Sequence, residues 1–205
     1  VVRTRVGYAG GTLANPTYYN LGDHTETIEM DYDPDVITYA ELLAIFWNSH
    51  DPTSPSYSQQ YKSIIFYHDA EQKRLAEESK ASEEARRDRK IVTEIVPYTR
   101  FYWAEDYHQK YRLRNRAEFL REYLMIYPDN EDFVNSTAVT RLNGYAGGNG
   151  TLMALEKELP SLGLSTEASR KLWDLVASYD RSGEAGNKTD SSAQITGSCP
   201  TGTCG

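Results

Sequence analysis

Alternation opens the chain. Over residues 1–8 the β-branched Val1, Val2, Thr4 and Val6 are interleaved with Arg3 and Arg5, and Gly7-Tyr8-Ala9-Gly10-Gly11 with Asn15-Pro16 supplies breakers behind them. The pattern predicts a strand running into a loop. Residues 25–31 alternate again, Thr25, Thr27, Glu29 and Asp31 against Ile28 and Met30, and stop at Asp33-Pro34, which predicts a second strand. Then the period changes. Thr38 with Glu41 three residues on has the form of a capping box, and Leu42, Leu43, Phe46 and Trp47 make an apolar stripe ending at His50-Asp51-Pro52; this predicts a helix.

A Ser/Pro-rich loop over 53–58 leads to Ser63-Ile64-Ile65-Phe66-Tyr67, short and apolar enough for a buried strand. Asp69 caps a charged helix reaching about residue 90. Its Arg86, Arg87, Arg89 and Lys90 are balanced by Glu83, Glu84 and Asp88, a solvated face rather than an anion site. Residues 91–96 predict a fourth strand broken at Pro97, residues 101–114 are aromatic and mixed, and 117–127, 152–159 and 166–179 predict three more helices. Strands interleaved with helices argue an α/β or α+β sandwich. From 180 to 198 the chain is rich in Gly, Ser and Asn and nearly free of apolar residues, the composition of a flexible tether with an r.m.s. reach of about 24 Å. Cys199 and Cys204 lie at its tip.

Composition narrows the range of functions. A length of 205 residues suits one compact domain, or one domain with an appendage. A formal net charge of −8 repels phosphate backbones and anionic membranes, so neither nucleic acid nor membrane is an expected partner. The 16 Tyr hint at a polar-rimmed aromatic pocket. Two Cys spaced C-x4-C exclude a disulfide framework and cannot complete a four-ligand zinc site, so no metal is expected. They read either as a dithiol/disulfide couple or as incidental thiols on a tail. So few thiols fit a cytosolic or a secreted setting and leave the compartment open, the cytoplasm being favoured because no signal peptide opens the sequence; a monomer is expected. The chain opens at Val1, inside a predicted strand, rather than at Met, so the natural N-terminus is expected upstream.

Several groups of residues carry candidate chemistry. Gly7-Tyr8-Ala9-Gly10-Gly11 follows a strand as a phosphate loop would, but it lacks the Lys-Ser/Thr of a P-loop and the spacing of a dinucleotide fold, and reads as a tight turn. The same string recurs as Gly144-Tyr145-Ala146-Gly147-Gly148 with different flanks. Asp31, Asp33 and Asp35 alternate as calcium ligands might, yet without the loop glycine and terminal Glu of an EF-hand they read as a strand end. Glu105, Asp106 and His108 form either an acid/base group or, more simply, a solvent-facing helix surface. Glu26 follows His24 and a Tyr-rich loop at the start of a strand. A carboxyl held near tyrosines in an apolar cleft is raised by desolvation and serves as an acid near neutral pH; the alternative is a strand-edge Glu in water.

The order of motifs adds a resemblance. Val1-Val2-Arg3-Thr4-Arg5-Val6-Gly7-Tyr8-Ala9-Gly10-Gly11, Asn15-Pro16-Thr17-Tyr18, His24-Thr25-Glu26, Tyr32-Asp33-Pro34, Leu42-Leu43 to Phe46-Trp47, His50-Asp51-Pro52-Thr53, Gln60-Tyr61-Lys62-Ser63-Ile64 and Tyr102-Trp103-Ala104-Glu105-Asp106-Tyr107-His108-Gln109-Lys110-Tyr111 resemble the A-type peptide methionine sulfoxide reductases, in family order over residues 1–111. A weaker echo covers 143–151. The resemblance implies an α/β fold, an α+β two-layer sandwich with a ferredoxin-like mixed sheet and flanking helices, over residues 1–151, followed by a helical extension at 152–179 and the tail at 180–205. It implies thiol-dependent reduction of the S-epimer of methionine sulfoxide, free or in oxidised proteins, with no bound cofactor and with thioredoxin or another dithiol as reductant. Glu26 falls on the family's general acid, Tyr18 and Tyr61 on the tyrosines that hold the sulfoxide oxygen, and His108 beside the substrate.

Three departures qualify what the resemblance implies. The family's Gly-Cys-Phe-Trp-Gly nucleophile segment is absent from the 205 residues and would lie upstream of Val1; the residues given therefore lack the nucleophile. The loops before His24 and between Asp51-Pro52 and Gln60-Tyr61 are shorter than the family's. The frequent resolving Cys of a Gly-Tyr-Cys string is Ala146, which leaves resolution and recycling to Cys199 and Cys204. The alternative is a non-catalytic relative that binds methionine-like side chains without turning them over.

Overall fold

A computed structural model describes residues 1–186, with side chains described as far as Tyr179; the tether from residue 187 onward, with Cys199 and Cys204, lies outside the described residues. The chain is mixed α/β and divides into two compact units, whose described parts are residues 1–36 with 99–186 and residues 37–98.

In the first unit, β1 (Arg3–Ala9) pairs antiparallel with β2 (Thr25–Asp31) on one edge, with Tyr8 opposite Glu26, and with β5 (Phe101–Trp103) on the other, with Tyr8 opposite Tyr102. Gly7 makes the second pairing possible. A Cβ there would lie 2.1 Å from the Tyr102 carbonyl oxygen and 2.6 Å from the Phe101 ring. Helices α3 (Tyr111–Arg114), α4 (Ala117–Ile126), α5 (Asn130–Asn135), α6 (Thr137–Ala146), α7 (Leu152–Glu158) and α8 (Thr166–Gly186) follow. Phe119, Tyr123, Phe133, Val139, Leu142, Leu155, Leu162, Leu172 and Val176 bury together in one core, each large side chain contributing about 1.5–3 kcal/mol. The expected strand and helix boundaries over 1–31 and 117–127 agree with the structure to within two residues. The structure adds β5, α3, α5 and α6, and α8 runs on to Gly186, so the first residues of the expected tether are helical.

In the second unit, α1 (Tyr39–Asn48) carries the expected capping box, Thr38 and Glu41 each satisfying the other's backbone N–H. β3 (Ile64–Tyr67) and β4 (Glu94–Pro97) pair in parallel across α2 (Ala70–Arg87), the helical crossover a parallel pair needs. Leu43, Trp47, Ile65, Ala76 and Ile91 form its core. Pro97 ends β4 from within, opposite Tyr67, rather than just beyond it. Glu83 binds both Arg86 and Arg87, so the basic end of α2 is neutralised locally as expected. The mixed α/β character holds: in the first unit both edges of β1 are taken by antiparallel partners, and in the second β3 pairs in parallel with β4.

Candidate active site

The loop between β1 and β2 is built from its own polar side chains. The Gly11 N–H donates to His24 Nδ1 at 3.2 Å, which leaves Nε2–H to donate to the Leu13 carbonyl at 2.8 Å. A Cβ on Gly11 would sit 2.6 Å from that ring. Asp23 accepts from the Thr12 and Leu13 N–H groups and the Thr12 hydroxyl, and the Thr12 bonds lead in holding its carboxyl down at about 2. Thr17 and Asn20 exchange backbone hydrogen bonds of 3.1 and 2.9 Å, closing a tight turn that presents Tyr18.

Glu105 is the centre of the cluster. Its Oε2 accepts from the Tyr8 hydroxyl at 2.7 Å and its Oε1 from the Tyr18 N–H at 2.9 Å. Burial alone would raise this carboxyl, but the bonds from Tyr18 and Tyr8 and the nearby His108 outweigh it and hold Glu105 below the ordinary carboxylate range. Tyr8 is the complement. Burial first, then the bond to Glu105 and the negative charges of Glu105 and Glu26, push its hydroxyl above the ordinary tyrosine range, so it stays a donor. Glu26, half-buried at the start of β2, faces Tyr8 across the ladder. The Tyr18 ring lies 4.9 Å from His108, and His108 lies 4.2 Å from Tyr107. His108 Nε2 is buried and finds no hydrogen-bond partner among the described residues.

Of the residues expected from the sequence, Tyr18, Glu26 and His108 gather around Tyr8 and Glu105 in the first unit. Tyr61 belongs to the second, on the 3-10 turn Gln59–Tyr61, 45% exposed with its ring 6.0 Å from Tyr57. The reading of Glu105, Asp106 and His108 as a solvent-facing helix is corrected. Residues 104–110 form successive turns, closed by His108 N–H to Glu105 and Gln109 N–H to Asp106, and Glu105 points into the cluster. A helix is prevented because Gln109 and Lys110, 1% and 4% exposed, are turned inward onto β1. Asp106 accepts from Asn130 at 2.8 Å. Among the described residues no group of three or more His, Cys, Asp or Glu side chains converges as metal ligands, and no helix is long and apolar enough to cross a membrane. Asp31 instead binds Arg3 and Arg5.

A hydroxyl donor and two carboxylates under an aromatic rim are the fittings of an enzyme that holds a polar oxygen and manages its proton. Comparison with known proteins names the family. The sequence model of the family described as peptide methionine sulfoxide reductase matches residues 1–142. A peptide methionine sulfoxide reductase of Drosophila melanogaster is 46% identical over 168 residues, 80% of this chain and 67% of the fly protein. The rice protein peptide methionine sulfoxide reductase A5 is 45% identical over 152 residues, 71% of this chain and 59% of its own length. Among solved structures, the reduced form of Mxr1 from Saccharomyces cerevisiae is similar with a TM-score of 0.52 and 31% identity, over 56% of this chain and 71% of the yeast chain. The chain belongs to the peptide methionine sulfoxide reductases, a family of oxidoreductases. It spans about three fifths to two thirds of the fly and rice relatives.

Proposed function

We propose that this chain supplies the oxygen-binding and proton-donating side of a thiol-dependent reduction of methionine S-sulfoxide, free or in oxidised proteins, to methionine. The observation that carries the reading is Glu26 facing Tyr8 across the β1–β2 ladder, beside Glu105 and the Tyr18 and His108 rings, in a chain of this family. A thiolate attacks the sulfoxide sulfur well only if the oxygen is protonated as the S–O bond weakens. Glu26 is the proposed donor, Tyr18 and Tyr61 hold the oxygen, and the unpartnered Nε2 of His108 faces the substrate. The oxygen passes to the nucleophile's sulfur, leaving methionine and a sulfenic acid, which a second thiol condenses to a disulfide with loss of water. Cys199 and Cys204, the only thiols in the sequence, are proposed as the recycling pair, reset by a thioredoxin-like dithiol.

The test is Glu26→Gln in the full-length protein, which should cut turnover of a methionine sulfoxide peptide ~10²-fold or more. Turnover close to wild type overturns the assignment. Tyr18→Phe and Tyr61→Phe should each cost less than the double variant, as expected where two hydroxyls share one oxygen.

A further inference from the structure

The three methionines of the chain share one property. Met125 is 77% exposed, Met153 67% and Met30 39%, and neither hydrophobic core contains a methionine. Leu, Val, Ile, Ala and aromatic side chains fill both cores, so a residue readily oxidised by peroxide is kept out of the places where a sulfoxide would disrupt packing. Met125 and Met153 also sit where backbone is easiest to open. Met125 is the penultimate residue of α4, beyond Tyr123, whose buried hydroxyl pins the helix to the Leu162 carbonyl. Met153 is the second residue of α7, just inside the Thr151 cap. Helix ends fray at low cost. Met30 instead lies in the β1–β2 ladder opposite Thr4.

We infer that Met125 and Met153 are sulfoxidation sites that the fold tolerates, and that the protein repairs them in trans, a second copy being its own substrate; the repair rests on the reductase reading above. Hydrogen peroxide transfers one oxygen to the Met125 or Met153 sulfur and leaves as water, a two-electron oxidation. In repair, two thiols supply two electrons and two protons, the oxygen leaves as water, and the thiols end as a disulfide. The sulfoxide adds a polar oxygen to a side chain that is already in water, so little of the folded state is disturbed.

Full-length protein treated with hydrogen peroxide and analysed by peptide mapping should gain one oxygen at Met125 and Met153 before Met30, with Tm shifted by no more than about 2 °C. Untreated full-length protein plus dithiothreitol should then clear about half of each sulfoxide, since one enzyme handles one epimer, at a rate that rises with the concentration of untreated protein. In a Met125→Leu, Met153→Leu variant the early oxygen uptake at methionine should vanish, leaving only the slower uptake at Met30, while Tm stays the same. Preferential oxidation of Met30, or a collapse of Tm on oxidation, overturns the tolerated-site inference. A free methionine sulfoxide peptide cleared while both sites stay oxidised overturns the repair alone. A peptide left uncleared overturns the reductase reading and the repair with it.

Discussion

Both units complete a short ladder with buried polar side chains, and they differ in how far water reaches them. In the first, β5 ends at Trp103, and Gln109 takes over its role: Oε1 accepts from the Val6 N–H at 3.1 Å, and Nε2 donates to the Val6 and Ala104 carbonyls. Lys110 continues the line with Nζ on the Thr4 carbonyl, the Thr4 hydroxyl and the Thr140 hydroxyl at 2.9, 3.1 and 2.6 Å. In the second, Lys80 donates to the Thr93 carbonyl at 2.6 Å. The Thr93 hydroxyl donates to Ser63, and Ser63 to His50 Nε2, whose Nδ1–H is spent on the Phe46 carbonyl. His50, Ser63 and Lys80 are half-buried around a sealed Thr93, whereas Gln109 and Lys110 are both sealed. The sealed network ties its charge state to folding, while the wetter one can exchange a lost partner for water.

Removing the sealed amide should do the most damage. Gln109→Ala strands the Val6 N–H and the Ala104 carbonyl, and should lower stability by about 2–4 kcal/mol in urea unfolding; a loss below about 1 kcal/mol would mean that water replaces the side chain.

Lys110 offers a sharper test. Burial without an acidic partner, helped by the nearby Arg5, brings its amine down to about 7. The unfolded chain holds that proton up to the ordinary lysine range. Between about pH 7 and 10 unfolding therefore takes up a proton, and stability gains about 1.4 kcal/mol per pH unit from this group. Below pH 7 both states carry the proton and the contribution is flat. The stability difference between wild type and Lys110→Met should grow with pH across that window, and a pH-independent difference would break the contrast.

The wetter network should respond less. Burial leads in holding His50 below its ordinary range, with Arg87 adding to it, so the folded state resists protonation and His50 costs stability as pH falls below about 6.5. His50→Gln should lose about 1 kcal/mol at pH 8 and flatten the acid side of the profile. The smallest effect belongs to the surface side chain of Arg74, which pairs with Glu71 and Glu78. Arg74→Ala should leave the midpoint of urea unfolding indistinguishable from wild type.

What could be read from the sequence follows the same division. β1, β2, α1 and α2 announce themselves by period and cap, because each buries one regular face, and Glu26 stands out as a candidate by its place between a Tyr-rich loop and an alternating strand. α5 and α6 are hidden. They are short, polar and partly β-branched at Val134, Thr137, Val139 and Thr140, and packing of Phe133, Val134, Val139 and Leu142 into the core overrides weak local propensity. The string Gly-Tyr-Ala-Gly-Gly makes the point within one molecule, since its first three residues end a strand at 7–9 and a helix at 144–146. The pairing of Tyr8 with Glu105 escapes notice because it spans 97 positions, a distance at which no periodicity operates.

The family match ends at residue 142, yet the core it belongs to does not. Leu155, Leu162, Leu172 and Val176 close over Phe119, Tyr123, Phe133 and Leu142, Tyr145 reaches Glu158, and Arg116 reaches Tyr179. The stretch that the family model matches is therefore shorter than the stretch that packs into one core, and the likeness to the fly protein, over 168 residues, runs on past it. A protease that clips between α6 and α7, or a deletion that trims the chain at residue 142, would open the hydrophobic interior of the first unit rather than remove an ornament from its surface.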